Sequence, residues 1–108
     1  MPSPLSVDVE VDASRSLGAY RPIWNWFGYD EPNYTYTPNG KKLLKTLTTL
    51  SPEPVRIRVH NLLTSGDGVA ALKWGSTNAY TVGPDGAPVY DWSIMDRIFD
   101  AFVEAGNV

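Results

Sequence analysis

The sequence predicts an α/β fold built from successive strand–helix units, and three observations carry this. Short apolar runs rich in β-branched and aromatic residues alternate with two stretches of helical periodicity. Strands joined through helices run parallel in one sheet. A parallel sheet is normally covered on both faces, and two strands with two helices cannot supply that cover. The expected architecture is therefore the front portion of a larger β/α barrel, about its first two strand–helix units.

Leu5 to Asp12 comes first. Leu5, Val7, Val9 and Val11 alternate with Ser6, Asp8, Glu10 and Asp12, the period of a half-buried strand that needs a partner sheet. Pro22 to Tyr29 is an aromatic and β-branched run that predicts a buried strand closing near Gly28, followed by the polar loop Asp30-Glu31-Pro32-Asn33.

Thr37-Pro38 opens a helix, Thr as N-cap and Pro at the first helical position. Leu43, Leu44, Leu47 and Leu50 recur at helical spacing, with Lys41, Lys42 and Lys45 expected toward solvent, until Ser51-Pro52-Glu53-Pro54 stops the helix. Val55 to His60 predicts the next strand, with Val55, Ile57 and Val59 on one face and Arg56, Arg58 and His60 on the other.

Asn61 to Tyr90 is a connection well beyond the ~12–15 residues usual for structureless loops. Its aromatics Trp74, Tyr80 and Tyr90 favour an ordered path. Tyr80-Thr81-Val82 and Pro88-Val89-Tyr90 flank Gly83-Pro84-Asp85-Gly86, which predicts a hairpin with Gly86 in the left-handed position. Asp91 then caps a second helix with Ile94, Met95, Ile98, Phe99, Phe102 and Val103 as its apolar stripe and Gly106 just past its end. Asn107-Val108 reads as the start of another strand.

Composition excludes several classes. With a net charge of −3 and no basic stripe, the chain lacks the electrostatic footprint of a nucleic-acid binder, and an acidic surface does not favour anionic lipid. No stretch approaches the ~18 apolar residues of a membrane span. Met1-Pro2-Ser3-Pro4 does not open a signal peptide. The absence of cysteine removes disulfides, thiolate nucleophiles and cysteine metal sites, and leaves a cytoplasmic or a secreted location equally open. Asn33-Tyr34-Thr35 is a glycosylation sequon, a triplet that also arises by chance. Four Trp and six Tyr serve either as core and hairpin packing or as stacking platforms for sugars.

In β/α barrels, chemistry sits at the C-terminal ends of the strands. By that rule the candidates are Asn25, Trp26, Tyr29, Asp30 and Glu31 after the first strand, then Arg58, His60 and Asn61, and Trp74 from the long loop. His60 is the only histidine. A lone histidine is commonly a structural residue, and its place at a strand end before a long loop weighs on the other side. With no second histidine and no cysteine, a metal role is not expected. No Gly-x-Ser-x-Gly elbow and no phosphate loop occurs. Asp30-Glu31 reads more simply as solvated loop carboxylates than as a converging acid pair.

Three segments taken together resemble glycoside hydrolase family 39, the family of β-xylosidases and α-L-iduronidases. They are Trp24 to Tyr36 (WNWFGYDEPNYTY), Val55 to Leu63 (VRIRVHNLL) and Val89 to Asp100 (VYDWSIMDRIFD). The resemblance spans about residues 20 to 108. It implies a (β/α)8 TIM barrel with an accessory β-sandwich, residues 1–19 supplying a sandwich strand and linker and 20–108 the first two βα units. It implies a retaining hydrolase of xylosides or related glycosides that uses two glutamates, as acid/base and nucleophile. Neither glutamate is matched by Glu10, Glu31, Glu53 or Glu104, since none follows an asparagine. No catalytic residue and no cofactor is therefore assigned, and the chain by itself is expected to be inactive.

The residue that carries over is His60, matching the family's Arg-x-His histidine that contacts the sugar. Arg58 matches the arginine of that motif, a supporting group below the site. Asn61, Trp26 and Trp74 are rim residues by position. The expected partner is a carbohydrate. The competing expectation is a non-catalytic carbohydrate-binding or structural α/β domain that oligomerises to cover its open edges.

Overall fold

A computed structural model describes residues 5–71, 73–106 and 108. Met1 to Pro4, and Asn107 of the expected third strand, lie outside the described residues. The elements in order are β1 (Trp26–Tyr29), a 3-10 turn (Pro32–Tyr34), α1 (Pro38–Thr49), β2 (Arg56–Val59), β3 (Tyr80–Val82), β4 (Pro88–Tyr90) and α2 (Ser93–Ala105).

β1 and β2 pair in parallel, Trp26 opposite Arg56 and Tyr29 opposite Val59, with α1 as the crossover. Period two then sorts the side chains. Phe27, Tyr29, Ile57 and Val59 are half-buried, whereas Trp26, Gly28, Arg56 and Arg58 form a bare, exposed face. β3 and β4 make a separate antiparallel hairpin whose turn puts Gly86 at φ 80°. That is the left-handed conformation expected of a glycine there.

The helices follow the sequence closely. Thr37 caps α1 by accepting from the Gly40 amide, with Pro38 at the first position. α2 begins at Ser93, so Trp92 and not Asp91 holds the N-cap position. The Asp91 carboxylate accepts from the Ser93 amide at 2.9 Å, so it turns the chain into the helix from just outside it.

α1 and α2 pack through Leu44, Ala101 and Ala105, with Tyr36, Ile57 and Phe102 around them. The Arg97 guanidinium lies 4.0 Å from the Tyr36 ring centroid, and Lys45 Nζ donates to the Ala105 carbonyl at 3.2 Å. Two of the three lysines expected in solvent thus join the helices. Lys45 satisfies an open carbonyl at the negative end of α2, and Lys41 pairs with Glu104.

Two expected strands differ. Residues 5–12 form no strand; their apolar positions are 71–91% exposed, and without a neighbouring edge alternation alone makes no ladder. The Pro22–Tyr29 run becomes a strand only from Trp26. Before it the chain turns, the Asn25 amide donating to the Pro22 carbonyl, and Tyr20 stacks on Trp24 at 5.1 Å.

Among the described residues the large buried apolar side chains are few, Leu44, Val55 and Ile98 with three alanines. The radius of gyration is 21.0 Å, against ~13 Å for a compact domain of this length. The N-terminal arm, exposed from Leu5 through Tyr20, accounts for much of the difference.

Candidate functional site at the strand ends

Parallel pairing brings the ends of β1 and β2 side by side. Val59 faces Tyr29, and the His60 amide donates to the Tyr29 carbonyl at 3.2 Å, extending the ladder by one residue. The next residue of each strand is therefore adjacent, Asp30 from β1 and His60 from β2. His60 Nδ1 lies 2.8 Å from Asp30 Oδ1, with the imidazole 34% and the carboxylate 48% exposed.

The two side chains lie within ion-pair distance, and both remain partly open to solvent.

Asn61 locks the corner. Its backbone takes φ 60°, a conformation asparagine tolerates better than most residues, and its Nδ2 donates to the Asp30 carbonyl at 3.0 Å. The same turn places the Thr64 amide on the Asn61 carbonyl at 3.2 Å.

The described residues of the long loop are tied to this end of the sheet. Asn33, 1% exposed, accepts from the Ser76 amide and donates to the Ser76 carbonyl, both at 2.8 Å, and donates to Tyr36 Oη at 3.2 Å. Gly75 fits against Pro32 so closely that a Cβ there would lie 2.2 Å from Pro32 Cδ. Thr77 Oγ1 donates to the Leu62 carbonyl. The sequon asparagine is thus a buried staple, and its nitrogen is unavailable for a glycan in the folded chain.

Tyr29 points to the helix side, its hydroxyl 2.7 Å from Thr35 Oγ1. Burial pushes its phenol above the ordinary value of 10.0, and the Thr35 hydrogen bond partly offsets this.

The sequence-derived candidates divide. His60 and Asn61 share the strand-end corner with Asp30, whose pairing with His60 local spacing does not reveal. Trp26 starts β1, at the opposite end of the strand pair, where the Arg56 guanidinium lies 5.2 Å from its ring centroid. Asn25 is buried below that end and donates to the Pro54 carbonyl at 2.8 Å, a structural role. Arg58 lies on the bare face opposite Gly28 and makes no ion pair among the described residues. Trp74 is 65% exposed, next to the glycine seated on Pro32. Glu31 lines a groove between β1 and α1.

An exposed aromatic row was not singled out in the sequence as a unit. Tyr80 meets Tyr90 edge-on at 5.7 Å, and Tyr90 and Trp92 lie parallel within 9° at 6.4 Å. The hairpin register, which sets Tyr80 opposite Tyr90, is the signal for its first pair. Among the described residues no three His, Cys, Asp or Glu side chains cluster as metal ligands, and no helix is long and apolar enough to cross a membrane.

Comparison with models of protein families, with curated proteins and with solved structures finds no match to this chain.

Proposed function

We propose that this chain is the N-terminal part of a retaining glycoside hydrolase acting on xylosides or related glycosides, and that it contributes one wall of the sugar site. The observation that supports this best is the His60–Asp30 pair at the adjoining C-terminal ends of two parallel strands. In a β/α barrel that is where substrate binds. An imidazole beside a carboxylate offers a sugar hydroxyl hydrogen-bonding partners on both groups. The motif resemblance supplies the chemistry, with both glutamates of the double displacement outside these residues.

The bare face of β1 and β2 fits the same reading, since an isolated parallel pair leaves Trp26, Arg56 and Arg58 in water. Calorimetric titration with xylose and xylo-oligosaccharides tests the reading. Saturable heat that is lost in His60→Ala supports it, and no heat at millimolar sugar removes it. The chain alone is expected not to hydrolyse aryl xylosides; turnover abolished by His60→Ala would place catalysis within these residues.

A second reading, a non-catalytic carbohydrate-binding or structural domain that oligomerises, is favoured by the exposed Tyr80, Tyr90 and Trp92 row. Aromatic faces stack on sugar rings without acid–base groups. Loss of binding in Trp92→Ala with retention in His60→Ala would select it.

A further inference from the structure

Asn33 is 1% exposed, yet it is a polar side chain in a loop. Its Oδ1 accepts from the Ser76 amide and its Nδ2 donates to the Ser76 carbonyl, both at 2.8 Å, with Tyr36 Oη a further acceptor at 3.2 Å. An asparagine amide presents an acceptor and a donor side by side to one residue's N–H and C=O, and an aspartate lacks the donor. The whole side chain is thus spent on holding one backbone residue, forty-three positions away, against the loop that follows β1.

What this anchor carries is Trp74. Gly75 seats on Pro32, where a Cβ would lie 2.2 Å from Pro32 Cδ, and the Gly68 amide donates to Ser76 Oγ at 2.9 Å. Before the indole, Lys73 pairs with Asp67. The backbone is held on both sides of Trp74 while the residue itself is 65% exposed. Pro32 stands two residues past Asp30, and Trp74 one before Gly75. At most three Cα steps of about 3.8 Å and one close contact therefore separate the backbone of Trp74 from that of Asp30. A second tie closes the same frame. Asn61 Nδ2 holds the Asp30 carbonyl, the Thr64 amide bonds the Asn61 carbonyl, and the Thr77 amide bonds the Thr64 carbonyl at 2.9 Å.

We propose that Asn33 is a positioning residue of the sugar site, holding the Trp74 indole in register with the His60–Asp30 corner. One oligosaccharide then meets hydrogen-bonding partners at the corner and an aromatic face at Trp74. This role rests on the sugar reading of the corner, and it belongs to a side chain that is buried and touches no sugar. An indole on a loose loop would have to be ordered as the sugar binds, at the expense of affinity. The staple does that ordering during folding. Every contact in the frame lies between Asp30 and Thr77.

Titration of the nitrogen-15-labelled chain with xylotriose, read at the Asp30, His60 and Asn61 amides and at the indole N–H signals, tests this. In the wild type the corner and the Trp74 indole should saturate together. Asn33→Asp, with an unchanged far-UV spectrum, should weaken binding roughly two- to tenfold, the cost of ordering one rim side chain afresh. Asn25→Asp breaks the hydrogen bond to the Pro54 carbonyl at the other end of the strands, and should destabilise the chain without changing affinity. Trp74→Ala should bind at least as weakly as Asn33→Asp, and adding Asn33→Asp to it should change nothing further. Wild-type affinity in Asn33→Asp, the same loss in Asn25→Asp, or an additive double variant overturns the positioning role while the sugar reading stands. Trp74→Ala, at an exposed position, keeps the test open should the Asn33 variant unfold, and wild-type affinity there overturns the role as well. A corner silent to sugar in the wild type removes both.

Discussion

His60 Nδ1 lies 2.8 Å from Asp30 Oδ1, although the two residues stand thirty positions apart and belong to different strands. Parallel pairing of β1 with β2 makes them neighbours, and Asn61 fastens the corner through the Asp30 carbonyl. The pair is half-exposed, so its contribution to stability is small: Asp30→Asn should cost no more than about 1 kcal/mol, read from the urea midpoint. A larger loss would show that the corner depends on the ion pair.

The Asn33 staple is expected to be among the more costly polar groups to lose. Asn33→Ala strips the Ser76 amide and carbonyl of their partners in a buried setting, at about 1–3 kcal/mol. The midpoint of urea unfolding measures this, and Asn33→Asp should also destabilise, since a carboxylate cannot donate to the Ser76 carbonyl. A midpoint unchanged in both variants would show that the loop is held elsewhere.

Alkaline pH should unfold the chain partly through Tyr29. Its phenol titrates above 10.0 because burial penalises the phenolate, so the folded state holds its proton where the unfolded chain has released it. The stabilising contribution is complete below the ordinary phenol value and is lost as pH rises through the folded one. Tyr29→Phe should cost about 0.5–1.5 kcal/mol at neutral pH through the Thr35 hydrogen bond, and should flatten the decline above pH ~10. Parallel slopes for variant and wild type would remove Tyr29 from the alkaline transition.

Much of this fold is written locally. Thr37-Pro38, the Leu43–Leu47 spacing and the Ile98–Phe102 stripe give both helices nearly to the residue, and Gly86 gives the hairpin turn. What local pattern missed depends on partners. Leu5 to Val11 alternates like a strand, yet nothing among the described residues pairs with it. Pro22 to Trp24 has strand composition, yet turn hydrogen bonds claim it first. Trp26 reads as a rim residue only in a strand that begins earlier; with β1 starting there, its ring belongs to the other end. Asp30, read as a solvated loop acid, gains its meaning only from His60 across the sheet. Asn33, read as a sequon, is buried by a loop that returns from Ser76.

The central claim is that the strand-end corner around His60 receives a sugar hydroxyl. Titration of the nitrogen-15-labelled chain with xylo-oligosaccharides, followed by amide and imidazole shifts, tests it most directly. Saturable shifts at Asp30, His60 and Asn61 in the millimolar range, absent in His60→Ala, are the expected result. Shifts confined to Tyr80, Tyr90 and Trp92, or none at all, would contradict it.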